Sequence, residues 1–386
     1  MSDQPDHISA KKFMEELMRY RRGSVSRRHF LGVTGLGMAT AVLGAAIPGL
    51  RARPSFAQGS IGDRVVLSTW PNYHDPANFD AFTELTGAAV QVNVFGSNEE
   101  MLAKLQAGGS GWDVFVPTNY TITTYVAEDL IIPLDLARIP NYDPASFDPR
   151  FAGPGTVDGT LYAASKDWGT TGYALDTTKT NGRPMTSWKD FWDITKAEFS
   201  GRTTVHDYQL TTIGNALKSF GYSFNSIDPA QLADAEKLLI EVKPHLFAIT
   251  SDYQPAMRSG DAWLAMCWTG DGKQLNKDIP EIAYIIGSEG GEIWSDFYAI
   301  PKGAPHLDAA YALIDFLLNP EVNAREALFH GQPVADARVN ALMPPEIMAD
   351  PIIHPAAELL SALEFGAAAT LTDPNRAELM ARFKSA

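Results

Sequence analysis

Three strand-like runs alternate with two helix-like runs between Arg64 and Thr118, and this succession constrains the fold more than any other feature of the chain. "RVVLSTW" (64–70) reads as a strand, and "NFDAFTELTG" (78–87) as a helix stopped by Gly87. "AVQVNVFG" (89–96) alternates as a strand does. "SNEEMLAKLQAGGSG" (97–111) reads as a helix opened by Ser97 with Glu100 three residues on, a capping-box pattern, and "WDVFVPT" (112–118) as a third strand. The order βαβαβ predicts a parallel sheet with helices over its faces, because parallel neighbours need a crossover long enough to hold a helix. Ligands of such sheets gather beyond the carboxyl ends of the strands. Here those ends read "TWPNY" (69–73), "GSNEE" (96–100) and "PTNY" (117–120), which sets aromatic rings and hydroxyls at the expected mouth.

A second α/β block follows from about Gly169. "GRTTVHDYQL" (201–210) reads as a strand leading into a helix through Lys218. "DPAQLADAEKLLIEVK" (228–243) is an amphipathic helix, and "DAWLAMCWTGDG" (261–272) a buried strand that breaks at glycines, leaving Trp268 at a strand end. After Pro301, "LDAAYALIDFLL" (307–318) and "NPEVNAREALF" (319–329) are two helices separated by Asn319 and Pro320, an N-cap and first-turn pair. About 330 residues of such pattern exceed one ordinary core, so two domains are expected.

The amino-terminal residues read as a targeting segment. "SRRHFLG" (26–32) places adjacent arginines before a Gly- and Ala-rich apolar run from Phe30 to Leu50, and "SFAQ" (55–58) supplies small residues for cleavage after Ala57. The motif resembles a twin-arginine (Tat) export signal of the S-R-R-x-F-L type. The apolar run is also near the length of a membrane span. Glycines at 32, 35, 37 and 44 weaken a stable helix there, so a cleaved signal over 1–57 is the favoured reading. The leading "KKFMEELMRYRRG" (11–23) has no function we can read.

Residues 1–57 hold nine of the 31 Lys and Arg and four of the 46 Asp and Glu, which leaves 22 basic and 42 acidic residues and a formal charge of −20. That excludes the basic footprint nucleic acid requires. It suits a field that attracts small cations. Cys267 is the single cysteine, so an internal disulfide and a multi-cysteine metal site are both excluded; flanked by Met266 and Trp268, it reads as a packed core thiol.

"GGEIWSDFYAIP" (290–301) sets a Trp and an Asp two apart in an apolar strand. Residues i and i+2 of a strand share a face, so Trp294 and Asp296 present a ring and a carboxylate together. The ring attracts positive charge and the carboxylate neutralises it, a pairing that suits a cation. A surface Asp beside a packed Trp is the alternative.

Taken in order, "TWPNY", "SNEEMLAKLQAG", "DVFVPTNY", "GTTGYALD", "TSWKDFW", "AMCWTG", "GGEIWSDFYAIPKGA" and "ALIDFLLNPEV" make the chain from about Arg64 to Lys384 resemble the spermidine/putrescine-binding proteins of bacterial ABC importers. The resemblance implies an α/β, two-lobed periplasmic-binding-protein fold (type II) with a ligand cleft between lobes joined by crossing strands. It also implies a periplasmic location and a partner permease in the inner membrane. The expected lobes are 58–168 with about 295–340, and about 169–294 with 341–386.

Carried over by position, the family's aromatic cage falls on Trp70, Tyr73, Tyr120, Trp268 and Trp294, its hydroxyl on Thr118 and its amine-binding acid on Asp296. Where family members offer a second pair of carboxylates this chain has Tyr208 and Thr211. The family's polar contact near the chain end falls around Glu364. Pro71 replaces a hydroxyl, and "SKDWG" (165–169) puts Lys166 and Asp167 where relatives are more apolar. One amine pole is thus preserved, and the other would need Glu364, Asp167 or Asp207.

Catalytic signatures are missing from the sequence. There is no G-x-S-x-G elbow and no H-E-x-x-H, and "TGDGKQ" (269–274) lacks the remainder of a phosphate loop. The histidines show no close metal spacing, and no cofactor is implied. His206 beside Asp207 is the one base-and-orienter candidate. The expectation is therefore a periplasmic binding protein, not an enzyme, that takes up a small cationic amine such as putrescine or spermidine after Tat export. A short zwitterion is the alternative ligand, a gamma-amino acid or opine-like compound with Asp296 on its amine and Lys166 or a helix N-terminus on its carboxylate. A periplasmic enzyme on the same fold is the alternative in another class.

Overall fold

A computed structural model describes residues 61–108 and 110–386. The expected export signal and cleavage site lie outside the described residues. The first block forms β1 (Arg64–Thr69), α1 (Pro76–Thr86), β2 (Ala89–Val94), α2 (Asn98–Gln106) and β3 (Val114–Phe115), and β1 pairs in parallel with both β2 and β3. Local chemistry sets the helix ends. Asp75 accepts from the Ala77 amide ahead of Pro76 at the start of α1, and Gly87, at φ 84°, takes the left-handed conformation that closes it. At α2 the Ser97 hydroxyl accepts from the Glu100 amide at 3.1 Å. The Glu100 carboxylate returns to the Gly96 amide at 2.9 Å, one residue before the cap, so the capping box is displaced by one position. The third strand keeps only two residues, because the chain past Phe115 turns to bring Thr118 beside Asp296 as an isolated antiparallel bridge.

A small hairpin, β4 (Thr156–Val157) and β5 (Thr160–Leu161), precedes the long β6 (Ala163–Asp176). Next come α3 (Trp188–Ala197), β7 (Thr203–Val205), α4 (Gln209–Lys218), α5 (Pro229–Val242), β8 (Leu246–Ile249), β9 (Leu264–Trp268), α6 (Thr269–Asp278), β10 (Ile282–Ile285) and β11 (Gly291–Ala299). The carboxyl-terminal part holds α7 (Leu307–Leu317), α8 (Pro320–His330), β12 (Leu363–Phe365) and α9 (Pro374–Ser385).

One sheet runs through the molecule in the order β2-β1-β3-β11-β6-β9-β7-β8, with β10 beside β6 and β12 beside β11. Its ends are parallel and its middle is antiparallel. β6 pairs with β11 over its first part and with β9 and β10 over its last. The two parallel units therefore hang from opposite ends of one antiparallel pair, which makes β6 and β11 the crossing strands.

The two largest apolar groups follow these units in the main, although Tyr208, Leu210 and Phe224 of the second block pack with the first group. One group gathers Leu67, Phe82, Met101, Phe115, Tyr125, Trp168, Phe297 and Leu313; a second gathers Tyr173, Trp188, Phe191, Trp192, Ile213, Leu239 and Met266. Each fully buried large side chain contributes about 1.5–3 kcal/mol, so either group supplies a core of its own. The last residues touch both: Leu371 joins the first group while Leu379, Met380 and Phe383 of α9 join the second. Arg376 anchors this segment from a fully buried position, its guanidinium donating to the carbonyls of Ser226 at 2.8 Å and Leu210 at 3.1 Å. Cys267 is buried as a core thiol. Among the described residues, no helix is long and apolar enough to cross a membrane, and no cluster of His, Cys, Asp and Glu could hold a metal ion.

Candidate functional site

The loops after β1 and β3, the start of α6 and the middle of β11 converge on one pocket that opens to solvent. Six aromatic residues line it: Trp70, Tyr73, Tyr120, Tyr208, Trp268 and Trp294. Thr118 and Asp296 line it as well, as expected. Two other expected residues lie outside. Thr211 is turned inward behind the wall, its hydroxyl 3.0 Å from His206 Nδ1. Glu364, on β12, is held by the Phe224 amide at 3.0 Å and Lys218 Nζ at 3.1 Å, so its charge is spent on the end of α4 and the loop that follows it.

The aromatic wall is fixed from behind. The Trp70 indole donates to the Val116 carbonyl at 3.1 Å and meets Phe95 edge-on at 4.7 Å. Trp268 Nε1 donates to the Tyr208 hydroxyl at 3.3 Å, and both rings pack on His206, whose centroid lies 4.4 Å from that of Trp268. Burial pushes the His206 imidazole down to about 3, so it stays neutral and acts as packing. Asp207 turns away to accept from the Ser251 hydroxyl at 2.5 Å, and the expected base-and-orienter pair does not form.

Trp294 lies across β6. A Cβ at Gly169, its register partner, would sit 2.5 Å from the indole Cζ2, so only glycine leaves room for the ring.

Asp296 holds the centre. It is 4 % exposed; Oδ2 is 2.8 Å from the Tyr73 hydroxyl, and Oδ1 is buried with no protein hydrogen bond among the described residues. Burial and then the neighbouring Asp167 carboxylate raise its pKa well above the ordinary range, which favours the protonated acid until a cation arrives. Tyr73 also contacts Asp167, and Asp167 pairs with Lys166 Nζ at 2.6 Å. Lys166 stands over the Tyr73 ring at 3.6 Å, 2 % exposed, and does not reach the pocket lining. A carboxylate placed in the pocket would therefore not find Lys166, which removes that contact from the zwitterion reading.

Several lining residues went unread in the sequence. Glu292, two residues before Trp294, shares its face, and burial pushes its carboxyl up to about 7. Asp271, in the first turn of α6, accepts from Gln254 Nε2 at 2.6 Å and is pushed by burial up to about 6. Strand alternation and the spacing from Trp268 were the signals available for these two. Asn98 supports Thr118 at 3.2 Å. His330 and Gln332 arrive from the end of α8, where no local pattern marks them. The Gln332 amide donates to His330 Nδ1 at 2.9 Å, which leaves the imidazole proton on Nε2, 3.3 Å from Asp167. The described lining thus carries three carboxyl groups and no Lys or Arg.

Crossing strands between two parallel units, with an aromatic and acidic pocket where their loops meet, define a type II periplasmic-binding-protein fold. The profile of the family described as "Bacterial extracellular solute-binding protein" matches residues 77–355, and the chain belongs to that family. It is 30 % identical to the spermidine/putrescine-binding periplasmic protein 1 of Haemophilus influenzae over 308 residues, 79 % of this chain and 84 % of the relative. It is 29 % identical to a putrescine/agmatine-binding protein of Pseudomonas aeruginosa, over 78 % of this chain and 85 % of that one. The crystal structure of the spermidine/putrescine ABC transporter substrate-binding protein PotD of Streptococcus pneumoniae superposes with a TM-score of 0.67 at 29 % identity, covering 84 % of this chain and 99 % of that one.

Proposed function

We propose that this chain is the periplasmic receptor of an ABC importer, that it captures a cationic amine of the putrescine and spermidine class, and that it passes the amine to a permease in the inner membrane. One observation carries the reading: the free, buried Oδ1 of Asp296 within an aromatic wall. A buried ammonium needs both a counter-charge and a replacement for its water shell, and acid and rings together supply them. The names of the relatives support the same ligand class.

In this reading Trp70, Tyr73, Thr118, Tyr120, Tyr208, Trp268 and Trp294 surround the ligand at Asp296, and Thr211 steadies the Tyr208 side through His206. The two lobes, with the boundaries expected from the sequence, move about β6 and β11 and close on the amine. The ligand is released unmodified, so no catalytic group is called for. Export proceeds through the Tat translocase by way of Arg27 and Arg28, and replacing both with lysine strands the precursor in the cytoplasm.

Native mass spectrometry of the mature protein against a panel of polyamines and amino acids, followed by small-angle scattering with the ligand found, tests the receptor reading. A retained, unaltered polyamine and a more compact protein are expected. A chemically altered product formed with turnover, or retention of amino acids alone, overturns it.

A further inference from the structure

The family's second pair of carboxylates is missing at Tyr208 and Thr211, and Glu364 is engaged elsewhere. Yet the sheet places another acid beside Glu364. In the parallel pairing of β11 with β12 the register partner of Glu364 is Glu292.

Glu292, Trp294 and Asp296 alternate on one face of β11, and all three line the pocket. At ~3.3 Å per strand residue the α-carbons of Glu292 and Asp296 stand about 13 Å apart, with the Trp294 ring between them. Glu292 is 2 % exposed. Its Oε2 accepts from the Thr171 hydroxyl at 2.5 Å, and no basic side chain pairs with it among the described residues. The nearby Lys218 is taken by Glu364.

We infer that Glu292 is the second anionic pole of this pocket, and that it restricts the ligand to linear amines bearing a second cationic nitrogen about four carbons from the first. The inference rests on the reading of Asp296 as an amine site. Its physical ground is a match of length and charge. Four carbons between two nitrogens span about 6 Å from ordinary bond lengths, and two charge-assisted contacts of ~2.8 Å bring the carboxylate-to-carboxylate reach to roughly 12 Å, close to the α-carbon spacing of two side chains that rise from one face of the strand. A diamine laid along β11 therefore crosses Trp294 with one ammonium at each acid. A monoamine leaves Glu292 without a partner and gains nothing from it. Burial holds the Glu292 carboxyl near neutrality, so an arriving ammonium can draw off its proton at little cost. Asp271, fixed by Gln254 on the α6 side of the pocket, is the competing candidate for the same role.

The test is calorimetric titration of the mature protein and of Glu292→Gln, Glu292→Asp, Asp271→Asn and Asp296→Asn with butane-1,4-diamine and with butylamine, the melting temperature of each variant being checked first. The expected result is that wild type prefers the diamine at least tenfold and that Glu292→Gln abolishes the preference, its diamine affinity falling to the level of butylamine. Glu292→Asp, which keeps the charge, retains part of the preference, and this variant carries the test if Glu292→Gln does not fold. An unchanged preference in Glu292→Gln overturns the inference, as does its loss in Asp271→Asn alone. If butylamine binds and Asp296→Asn abolishes that binding, the amine reading stands even where the Glu292 inference fails; if wild type binds neither amine, both fall.

Discussion

The Tyr73 hydroxyl lies 2.8 Å from Oδ2 of Asp296 and also contacts Oδ1 of Asp167, so a phenol with a single proton to donate stands between two buried carboxyl groups. Both acids cannot be ionised and both be satisfied by that proton. Asp167 has Lys166 at 2.6 Å, whereas Asp296 has no basic partner, so it is Asp296 that waits for an external cation. Tyr73→Phe is expected to weaken polyamine binding by about 1–3 kcal/mol by releasing the carboxyl from its fixed orientation. Equilibrium titration of this variant checks it; unchanged affinity would mean that the phenol does not position the acid.

Lys166 and Asp167 form a buried pair that supports the site without facing the ligand. Lys166→Ala leaves the Asp167 charge uncompensated and is expected to cost about 3–5 kcal/mol of folding stability. Denaturant unfolding measures that loss, and titration of the folded fraction should show a far smaller change in affinity. A large affinity loss confined to ligands with a carboxylate would instead restore the zwitterion reading.

Gly169→Ala sets a methyl group 2.5 Å from the Trp294 indole. The ring must leave its place, at about 1–3 kcal/mol for the overpacking, and the wall beside Asp296 opens. Tryptophan fluorescence and polyamine affinity should change together. A variant that binds and fluoresces like wild type would show that Trp294 tolerates displacement.

Burial raises the Glu292 carboxyl from an ordinary value of 4.5 to about 7. Between those values the folded, ligand-free protein keeps a proton that the unfolded chain has released. Stability therefore falls as pH rises across that window, by about 3 kcal/mol in all. Asp271, raised from 3.8 to about 6, adds a similar slope at lower pH. Amine binding needs the ionised acids, so affinity runs the other way and rises toward pH 7. Melting curves from pH 4.5 to 8 should show the decline, and Glu292→Gln should remove its upper part; a decline that Glu292→Gln leaves intact would place the titrating group elsewhere.

Much of the fold could be read from the sequence because it is written locally: Ser97, Gly87 and Asn319 mark helix ends, and the runs around Val65, Val92 and Met266 mark strands. The third strand came out shorter than its apolar run, since the length of "WDVFVPT" does not reveal that Thr118 turns away to meet Asp296. Rings of the pocket lining were legible where they stand at a strand end, as at Trp70 and Trp268. Glu292 was legible too, by one more step of the alternation that links Trp294 with Asp296. His330 and Gln332 were not, because α8 brings them to the pocket by packing between distant segments, which no local periodicity records. Glu364 shows the remaining limit: the sequence points it at the pocket, whereas packing gives its carboxylate to Lys218 and the Phe224 amide and leaves its register partner Glu292 in the lining.

The central claim is that Asp296 neutralises a buried ammonium, and titration calorimetry of wild type and Asp296→Asn with putrescine and spermidine tests it most directly. The substitution keeps the shape of the side chain and removes its charge. Wild type is expected to bind at least one of the two, and Asp296→Asn to lose about 2–5 kcal/mol, a fall of roughly thirtyfold or more. Equal affinity in the two proteins, with the variant folded, would contradict the assignment of this pocket to a cationic amine.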